Sequence, residues 1–306
     1  MNFKQMTAFR EVMRAGSVSA AARNLHRTQP AVSALISGLE AEIGLQLFAR
    51  HGRRLHPVPE AHYLLEQCDD ILGRLSATQS VLEGIRALDH GVVRVVSMPG
   101  PSVFLLPALI CQFAKGKSDV RASLITRSSP AVQDLVSAQQ YDVGLTDVGL
   151  TGPAESDLVD HAIMRFECLC GVHKDDPLAA RETITAGDLS GAPMAALFGH
   201  HSTTGQIESA FTESGAVFDM RFEAQYFIPL LTFAEQRLAY VIVDPLSAES
   251  YRLYRHGGGS LAFRPFRPVI QFIASIMTPT QRPPSILASA FISMLKRELR
   301  RIQTPL

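Results

Sequence analysis

Hydrophobic positions in the N-terminal part of the chain recur at helical spacing and are interrupted twice by turn residues. The first stripe ends at Gly16-Ser17, and Ser17 can cap a second helix that carries the small run Ala20-Ala21-Ala22. Further on, Thr28 offers a cap and Pro30 fits the first turn of a third helix, which ends near Gly44. The pattern predicts three short, closely packed helices.

The predicted third helix has an outward face of short side chains without charge. Glutamine can pair with adenine, and serine can bond to a base edge or to a phosphate, so such a face suits a helix that lies in the major groove of DNA. A solvated helix surface has the same appearance, and both interpretations stay open at this level. The face consists of Gln29, Ala31, Ser33, Ala34, Ser37 and Gly38.

A second pattern follows, in which mostly apolar residues alternate in steps of four and three, as in the seam of a coiled coil. It predicts a long helix through which two copies of the chain pair, and charged flanking residues fit a helix that bridges two domains through solvent. Packing of this helix on its own domain is the alternative. The seam consists of Ala61, Leu65, Cys68, Leu72, Leu75, Gln79 and Leu82.

From Gly91 onward, apolar β-branched runs alternate with helical patterns. Continuous apolar strands imply sheets that are covered on both faces, hence an α/β fold in which ligands bind beyond the carboxyl ends of the strands. The predicted strands are Val92–Ser97, Ala122–Thr126, Tyr141–Leu145, Leu169–Val172, Ala195–Leu197, Ala239–Val243 and Ile270–Met277.

Polar residues after these strands are candidates for a ligand site. Ser102, Ser129 and Thr203 each precede a helical pattern, and helix starts attract carboxylates, although a plain cap is the alternative for each. Asp147 and Asp244 can hold an ammonium group, so the set predicts a zwitterionic ligand. The predicted contact residues are Pro99, Gly100, Ser102, Ser129, Asp147, His200, Ser202, Thr203, Tyr226 and Asp244.

Composition and charge narrow the class of protein. With 46% hydrophobic and 19% charged residues the chain is expected to be globular, and without a signal-peptide pattern or an apolar run long enough for a membrane span it is expected in the cytoplasm. The net charge is zero, but residues 1–65 carry eight basic and four acidic side chains. This basic excess fits the binding of a polyanion.

Three short motifs resemble enzyme or metal sites, and each lacks a necessary partner. The run His256–Gly259 is similar to an oxyanion loop, but no Gly-x-Ser-x-Gly supplies a nucleophile. Gly116-Lys117-Ser118 resembles the end of a phosphate-binding loop, but Cys111 stands where that loop begins with glycine. His200-His201 has no further metal ligand at a suitable spacing. We therefore expect no enzyme activity, no metal and no cofactor.

The stretch from Phe9 to Leu55, with its Ala-Gly-Ser, Ala-Ala-Ala and Thr-Gln-Pro-Ala-Val-Ser motifs, resembles the winged helix-turn-helix of LysR-type transcriptional regulators. The resemblance implies that part of the third helix lies at the DNA and that three arginines form a wing along its backbone. Ala34 and Ser37 depart from the family, whose members often carry Arg, Gln or Lys there, and so does Val58–His62, which replaces Thr-x-x-Gly. The predicted DNA contacts are Gln29, Pro30, Ser33, Ala34, Arg50, Arg53 and Arg54.

The resemblance extends over nearly the whole chain. The C-terminal part is similar to the family's two-subdomain α/β effector module of periplasmic-binding-protein type, with the ligand between the subdomains. Pro99–Pro107, Ser128–Leu135 and Ala138–Asp147 are most similar to the branch that regulates lysine biosynthesis and opine catabolism. The predicted organisation is a winged helix-turn-helix at 1–58, a linker helix at 59–89 and an effector domain at 90–306, whose second subdomain spans 162–267.

These observations predict a transcriptional regulator that binds double-stranded promoter DNA and responds to an amino-acid-derived effector. The resemblance implies a homodimer that assembles into a homotetramer, with RNA polymerase as a further partner. The alternative is a cytoplasmic small-molecule binding protein or an enzyme with an accessory N-terminal domain.

Overall fold

A computed structural model describes residues 1–51, 54–153, 156–199 and 201–303. The chain divides into two compact units, residues 1–84 and 85–306. The predicted domain limits of 1–58, 59–89 and 90–306 stay predictions.

The first unit contains the three predicted helices, a two-stranded antiparallel hairpin and most of a long helix. Gly16 and Gly44 end the first and third helices with left-handed φ angles of 68° and 71°, which glycine adopts without strain. The Ser17 hydroxyl accepts a hydrogen bond from Ala20 N at 3.2 Å, whereas Thr28 occupies its cap position without a side-chain hydrogen bond. The elements are α1 (Phe3–Ala15), α2 (Val18–Asn24), α3 (Gln29–Ile43), β1 (Phe48–His51), β2 (Arg54–Pro57) and α4 (Pro59–Arg86).

The core of this unit joins the three short helices to the first half of α4. Phe9 of α1 and Leu39 of α3 are fully buried, and Cys68 and Leu72 of α4 belong to the same apolar cluster. The predicted seam therefore divides: its first part packs on its own unit, whereas Leu82 near the end of α4 is 55% exposed.

The second unit contains two sheets. The first has five strands in the order β4-β3-β5-β13-β6, with β4, β3 and β5 parallel and β13 antiparallel to both neighbours. The strands are β3 (His90–Ser97), β4 (Asp119–Thr126), β5 (Val143–Asp147), β6 (Val159–Glu167) and β13 (Gln271–Pro279). Its helices are α5 (Pro99–Val103), α6 (Leu105–Ala114), α7 (Ser129–Ser137) and α11 (Ile286–Gln303).

The second sheet has six strands in the order β10-β9-β11-β7-β12-β8, and β10, β9 and β11 are parallel. Its strands are β7 (Leu169–His173), β8 (Ile184–Thr185), β9 (Pro193–Leu197), β10 (Asp219–Ala224), β11 (Tyr240–Val243) and β12 (Leu261–Arg267). The helices on this sheet are α8 (Ser202–Glu213), α9 (Phe227–Glu235) and α10 (Pro245–Tyr254).

The chain crosses between the sheets twice. It leaves the first sheet at Cys168, between β6 and β7, and returns between β12 and β13. The sequence places the first crossing earlier, at residues 161–162, which lie inside β6. The difference arises because β6 is an edge strand whose exposure alternates, so its side chains do not reveal which sheet it joins.

Within the described ranges, no helix is both long and apolar enough to cross a membrane. The same ranges contain no cluster of His, Cys, Asp and Glu side chains with the spacing of a metal site.

Candidate functional site

A cavity of about 560 Å³ lies between the two sheets. It is bounded by the segments that follow the carboxyl ends of β3, β4 and β5 in the first sheet and of β9, β10 and β11 in the second. This is the edge at which α/β sheets bind ligands.

The cavity brings most of the sequence-predicted contact residues together, and those that line it are Pro99, Gly100, Ser129, Asp147, Ser202, Tyr226 and Asp244. Ser102 does not line it, because it lies inside α5, where its hydroxyl donates to Pro99 O at 2.7 Å. Thr203 is also buried and does not line the cavity, since α8 begins at Ser202 and Thr203 is its second residue. The predicted contact His200 lies outside the described residues.

Asp244 follows β11 and carries the most deeply buried charge of the site, with 2% of its surface exposed. Its Oδ1 atom accepts hydrogen bonds from Leu246 N and Ser247 N, each at 2.9 Å, so the carboxylate caps α10. Burial raises the pKa of Asp244 to about 6; the Ser247 side chain and the two N–H groups oppose this change, and the negative charge of Asp147 adds to it.

Asp147 at the end of β5 is the second carboxylate of the cavity. Its Oδ1 accepts from Gly149 N at 2.8 Å, and its Oδ2 lies 3.7 Å from Nε2 of His201. His201 Nδ1 accepts from Thr203 N at 3.2 Å, so Nε2 carries the proton that faces the carboxylate. Burial raises the pKa of Asp147, while the Gly149 N–H and His201 lower it. Asp147 and His201 thereby connect the two sheets.

Among the helices that begin at the cavity, α7 and α9, which are longer than the likewise uncapped α5, have no side-chain cap. Ser128 before α7 and Tyr226 before α9 make no cap hydrogen bond with their side chains, and both residues line the cavity. Free N–H groups at a helix start, together with the helix dipole, attract a carboxylate. The described part of the lining contains two aspartates and no lysine or arginine. The cavity therefore presents separate positions for a cation and for an anion.

Sequence reasoning missed several lining residues. Ser247 lies almost one turn after Asp244, and the pair Asp244-Pro245, a cap residue followed by proline, is a signal from which the start of α10 could have been predicted. His201, considered as a metal ligand, was interpreted as an ordinary loop residue, whereas it is the cap of α8 and lines the cavity. Phe272 of β13 offers no signal in the sequence, because strand pairing alone brings it to the cavity.

The face of α3 that sequence reasoning assigned to DNA lies at the surface of the first unit. Gln29, Pro30 and Ala34 are exposed, and Ser33 is half-buried. Arg50 and Arg54 belong to the hairpin strands β1 and β2, but their side chains, like the whole of Arg53, lie outside what the structure describes.

Two family models match the chain. The model described as "Bacterial regulatory helix-turn-helix protein, lysR family" matches residues 3–62, and the model described as "LysR substrate binding domain" matches residues 86–300. The second match covers more than half of the chain.

Curated relatives agree with these matches. The regulatory protein NocR of Agrobacterium tumefaciens is 30% identical over 297 residues, which cover 97% of this chain and 96% of the relative. The transcriptional activator protein LysR of Escherichia coli is 29% identical over 306 residues, 100% of this chain and 96% of the relative. The octopine catabolism/uptake operon regulatory protein OccR of Rhizobium meliloti is 28% identical, with 87% and 85% covered.

Solved structures show the same fold. Full-length CbnR in complex with its target DNA superposes with a TM-score of 0.71 at 20% identity, covering 98% of this chain and 100% of that one. A full-length variant of OxyR from Pseudomonas aeruginosa gives a TM-score of 0.61 at 16% identity, with 98% and 100% covered. The chain belongs to the LysR family, and it is a transcriptional regulator with a DNA-binding helix-turn-helix domain and an effector-binding domain.

Proposed function

We propose that this regulator binds a zwitterionic, amino-acid-derived effector in the cavity between its two sheets. One observation carries the proposal: the cavity holds Asp147 and Asp244, no described lysine or arginine, and the uncapped starts of α7 and α9. The carboxylates would bind an ammonium or guanidinium group, and the helix starts would bind a carboxylate. The name of the relative OccR, which mentions octopine, supports the same class of compound.

We further propose that the protein acts on promoter DNA in the cytoplasm as a homotetramer that works with RNA polymerase and catalyses no reaction. The exposed positions Gln29, Pro30 and Ala34 and the half-buried Ser33 would read the DNA, and Arg50, Arg53 and Arg54 would contact its backbone. Because Ala34 and Ser37 carry no charge, most phosphate contacts would come from the wing, and the salt dependence of DNA binding would be shallow.

Effector binding would change the relation between the two subdomains and thereby the spacing of the recognition helices in the tetramer. A ligand shifts such an equilibrium only by its difference in affinity for the two arrangements. The Asp147–His201 contact, which joins the sheets at the cavity, is the point at which a bound cation would act first.

A thermal-shift experiment tests the effector class. L-arginine, L-lysine and octopine should raise the melting temperature, because a ligand that binds only the folded state stabilises it. Succinate and benzoate, which carry carboxylates but no cation, serve as controls and should have no effect. Stabilisation by benzoate or succinate alone would contradict the proposed class.

A further inference from the structure

Gly100 of α5 lies unusually close to Ser247 of α10. A Cβ atom placed on Gly100 would stand 2.1 Å from Ser247 Oγ and 3.4 Å from Ser247 Cβ. The first distance is far below an ordinary contact, and the second is acceptable. A Cβ atom at position 100 therefore conflicts with the Ser247 hydroxyl, and its other near neighbours lie at ordinary contact distance.

This close approach joins the two halves of the effector domain. α5 follows the first sheet's strand β3, and α10 follows the second sheet's strand β11. Ser250, almost one turn after Ser247, donates to Gly100 O at 2.9 Å and accepts from Leu105 N at 3.2 Å. These bonds hold α10 against the start of α5 and α6, so the position of Ser247 is well determined.

The Ser247 hydroxyl has no partner of its own. It is fully buried, and it makes no hydrogen bond with any group in the described ranges. It stands beside the Asp244 carboxylate and lowers the pKa of that group, but its position does not meet hydrogen-bond geometry. Buried hydroxyls are nearly always hydrogen-bonded, so the unpaired Ser247 Oγ, in a residue that borders the cavity, is a candidate for pairing with a ligand.

We propose that Ser247 is an effector-contacting residue whose hydroxyl accepts a hydrogen bond from the cationic group held by Asp244, and that Gly100 is required because it leaves room for this hydroxyl. The inference rests on the proposed function, since the effector's cation is the donor. A serine oxygen beside a carboxylate gives an ammonium or guanidinium group a second acceptor, and this oxygen is already buried without ligand.

The first test is a double-mutant cycle without ligand. Gly100→Ala should lower the melting temperature by several degrees in the presence of Ser247, and by about nothing in the Ser247→Ala background, where the obstructing oxygen is absent. Gly205→Ala is the matched control, because Gly205 also lies in a helix and its Cβ would meet nothing within 4 Å. Additive effects of the two substitutions would overturn the close contact.

The second test measures affinity by calorimetry with whichever of L-arginine, L-lysine and octopine binds the wild-type protein. Ser247→Ala should weaken that binding about 10-fold, because one hydrogen bond to a charged group is lost. Its melting temperature without ligand should equal or exceed that of the wild type, because no internal hydrogen bond is lost. Ser209→Ala, an exposed serine of α8 that bonds only to Gly205 O, is the control and should change neither quantity.

The outcomes separate the inference from the proposed function. If none of the three compounds binds the wild-type protein, the proposed effector class is wrong, and the effector contact of Ser247 falls with it. If a compound binds the wild type and Ser247→Ala equally well, the class stands and the contact is overturned. A loss of unliganded stability in Ser247→Ala would show that the hydroxyl is structural, which also overturns the inference.

Discussion

Gln206 of α8 and Gln271 of β13 exchange two hydrogen bonds. Gln206 Nε2 donates to Gln271 O at 2.9 Å, and Gln271 N donates to Gln206 Oε1 at 2.8 Å. Gln271 is the first residue of the strand that returns to the first sheet, whereas α8 belongs to the second sheet and begins at the cavity. One side chain thus connects the crossing segment to a helix that begins at the cavity.

Replacing Gln206 by alanine should reduce the free energy of unfolding of the effector domain by about 1–2 kcal/mol, since two part-buried hydrogen bonds are lost. Urea denaturation followed by circular dichroism measures the change. Gln112→Ala, on the exposed side of α6, is the matched control and should be nearly neutral. A Gln206→Ala protein as stable as the control would show that these bonds do not hold the crossing segment.

The affinity of a cationic effector should rise with pH between about 5 and 7.5. The pKa of Asp244 is raised to about 6, so the carboxylate gains its charge in this range. Asp244→Asn keeps a good helix cap but removes the titration. Calorimetry across this range should show a weaker and flatter dependence for Asp244→Asn, and an unchanged slope would contradict the role of Asp244.

The same raised pKa has an opposite effect on stability without ligand. Because the folded protein holds the Asp244 proton more tightly than the unfolded chain does, this group stabilises the fold fully below about pH 4, and the contribution is lost as pH rises through about 6. Asp244→Asn should not lose stability over this interval, whereas the wild type should lose some. Melting curves of both proteins at pH 5 and pH 7.5 measure the difference.

Gln29→Ala combined with Ser33→Ala should abolish the specific footprint on promoter DNA and leave effector affinity unchanged. Each lost base contact typically reduces discrimination by about 1–3 kcal/mol. Gln67→Ala, an exposed glutamine of α4, is the control and should retain the footprint. Footprints that survive the double substitution would contradict the proposed reading face.

Leu82→Glu should weaken self-association, because 55% of this leucine is exposed and it lies at the end of the predicted coiled-coil seam. A charge at such a position opposes the pairing of two apolar stripes. Analytical ultracentrifugation should show smaller species for Leu82→Glu and wild-type assembly for Glu83→Gln. An unchanged sedimentation profile would mean that this end of α4 is not an interface.

The sequence alone predicted the elements whose signals are local. The glycines at positions 16 and 44 end their helices as expected, and the buried strands β5, β9 and β11 were found because both of their faces are covered. β6, β8, β10 and β12 were missed. The strands β6, β8 and β10 lie at sheet edges, and β6, β10 and β12 have mixed exposure without a continuous apolar run, whereas β8 has only two residues.

Asp147 and Asp244 could be proposed from their places after strands, and the family resemblance was confirmed by the comparisons. The direction of each side chain could not be derived from the sequence: the Ser102 hydroxyl bonds within its own helix, whereas Ser247 borders the cavity. A helix cap or a hydrophobic periodicity depends on neighbours along the chain, so the sequence determines it. The space that Gly100 leaves for Ser247 depends on the packing of two sheets and two distant helices, so only the tertiary structure decides it.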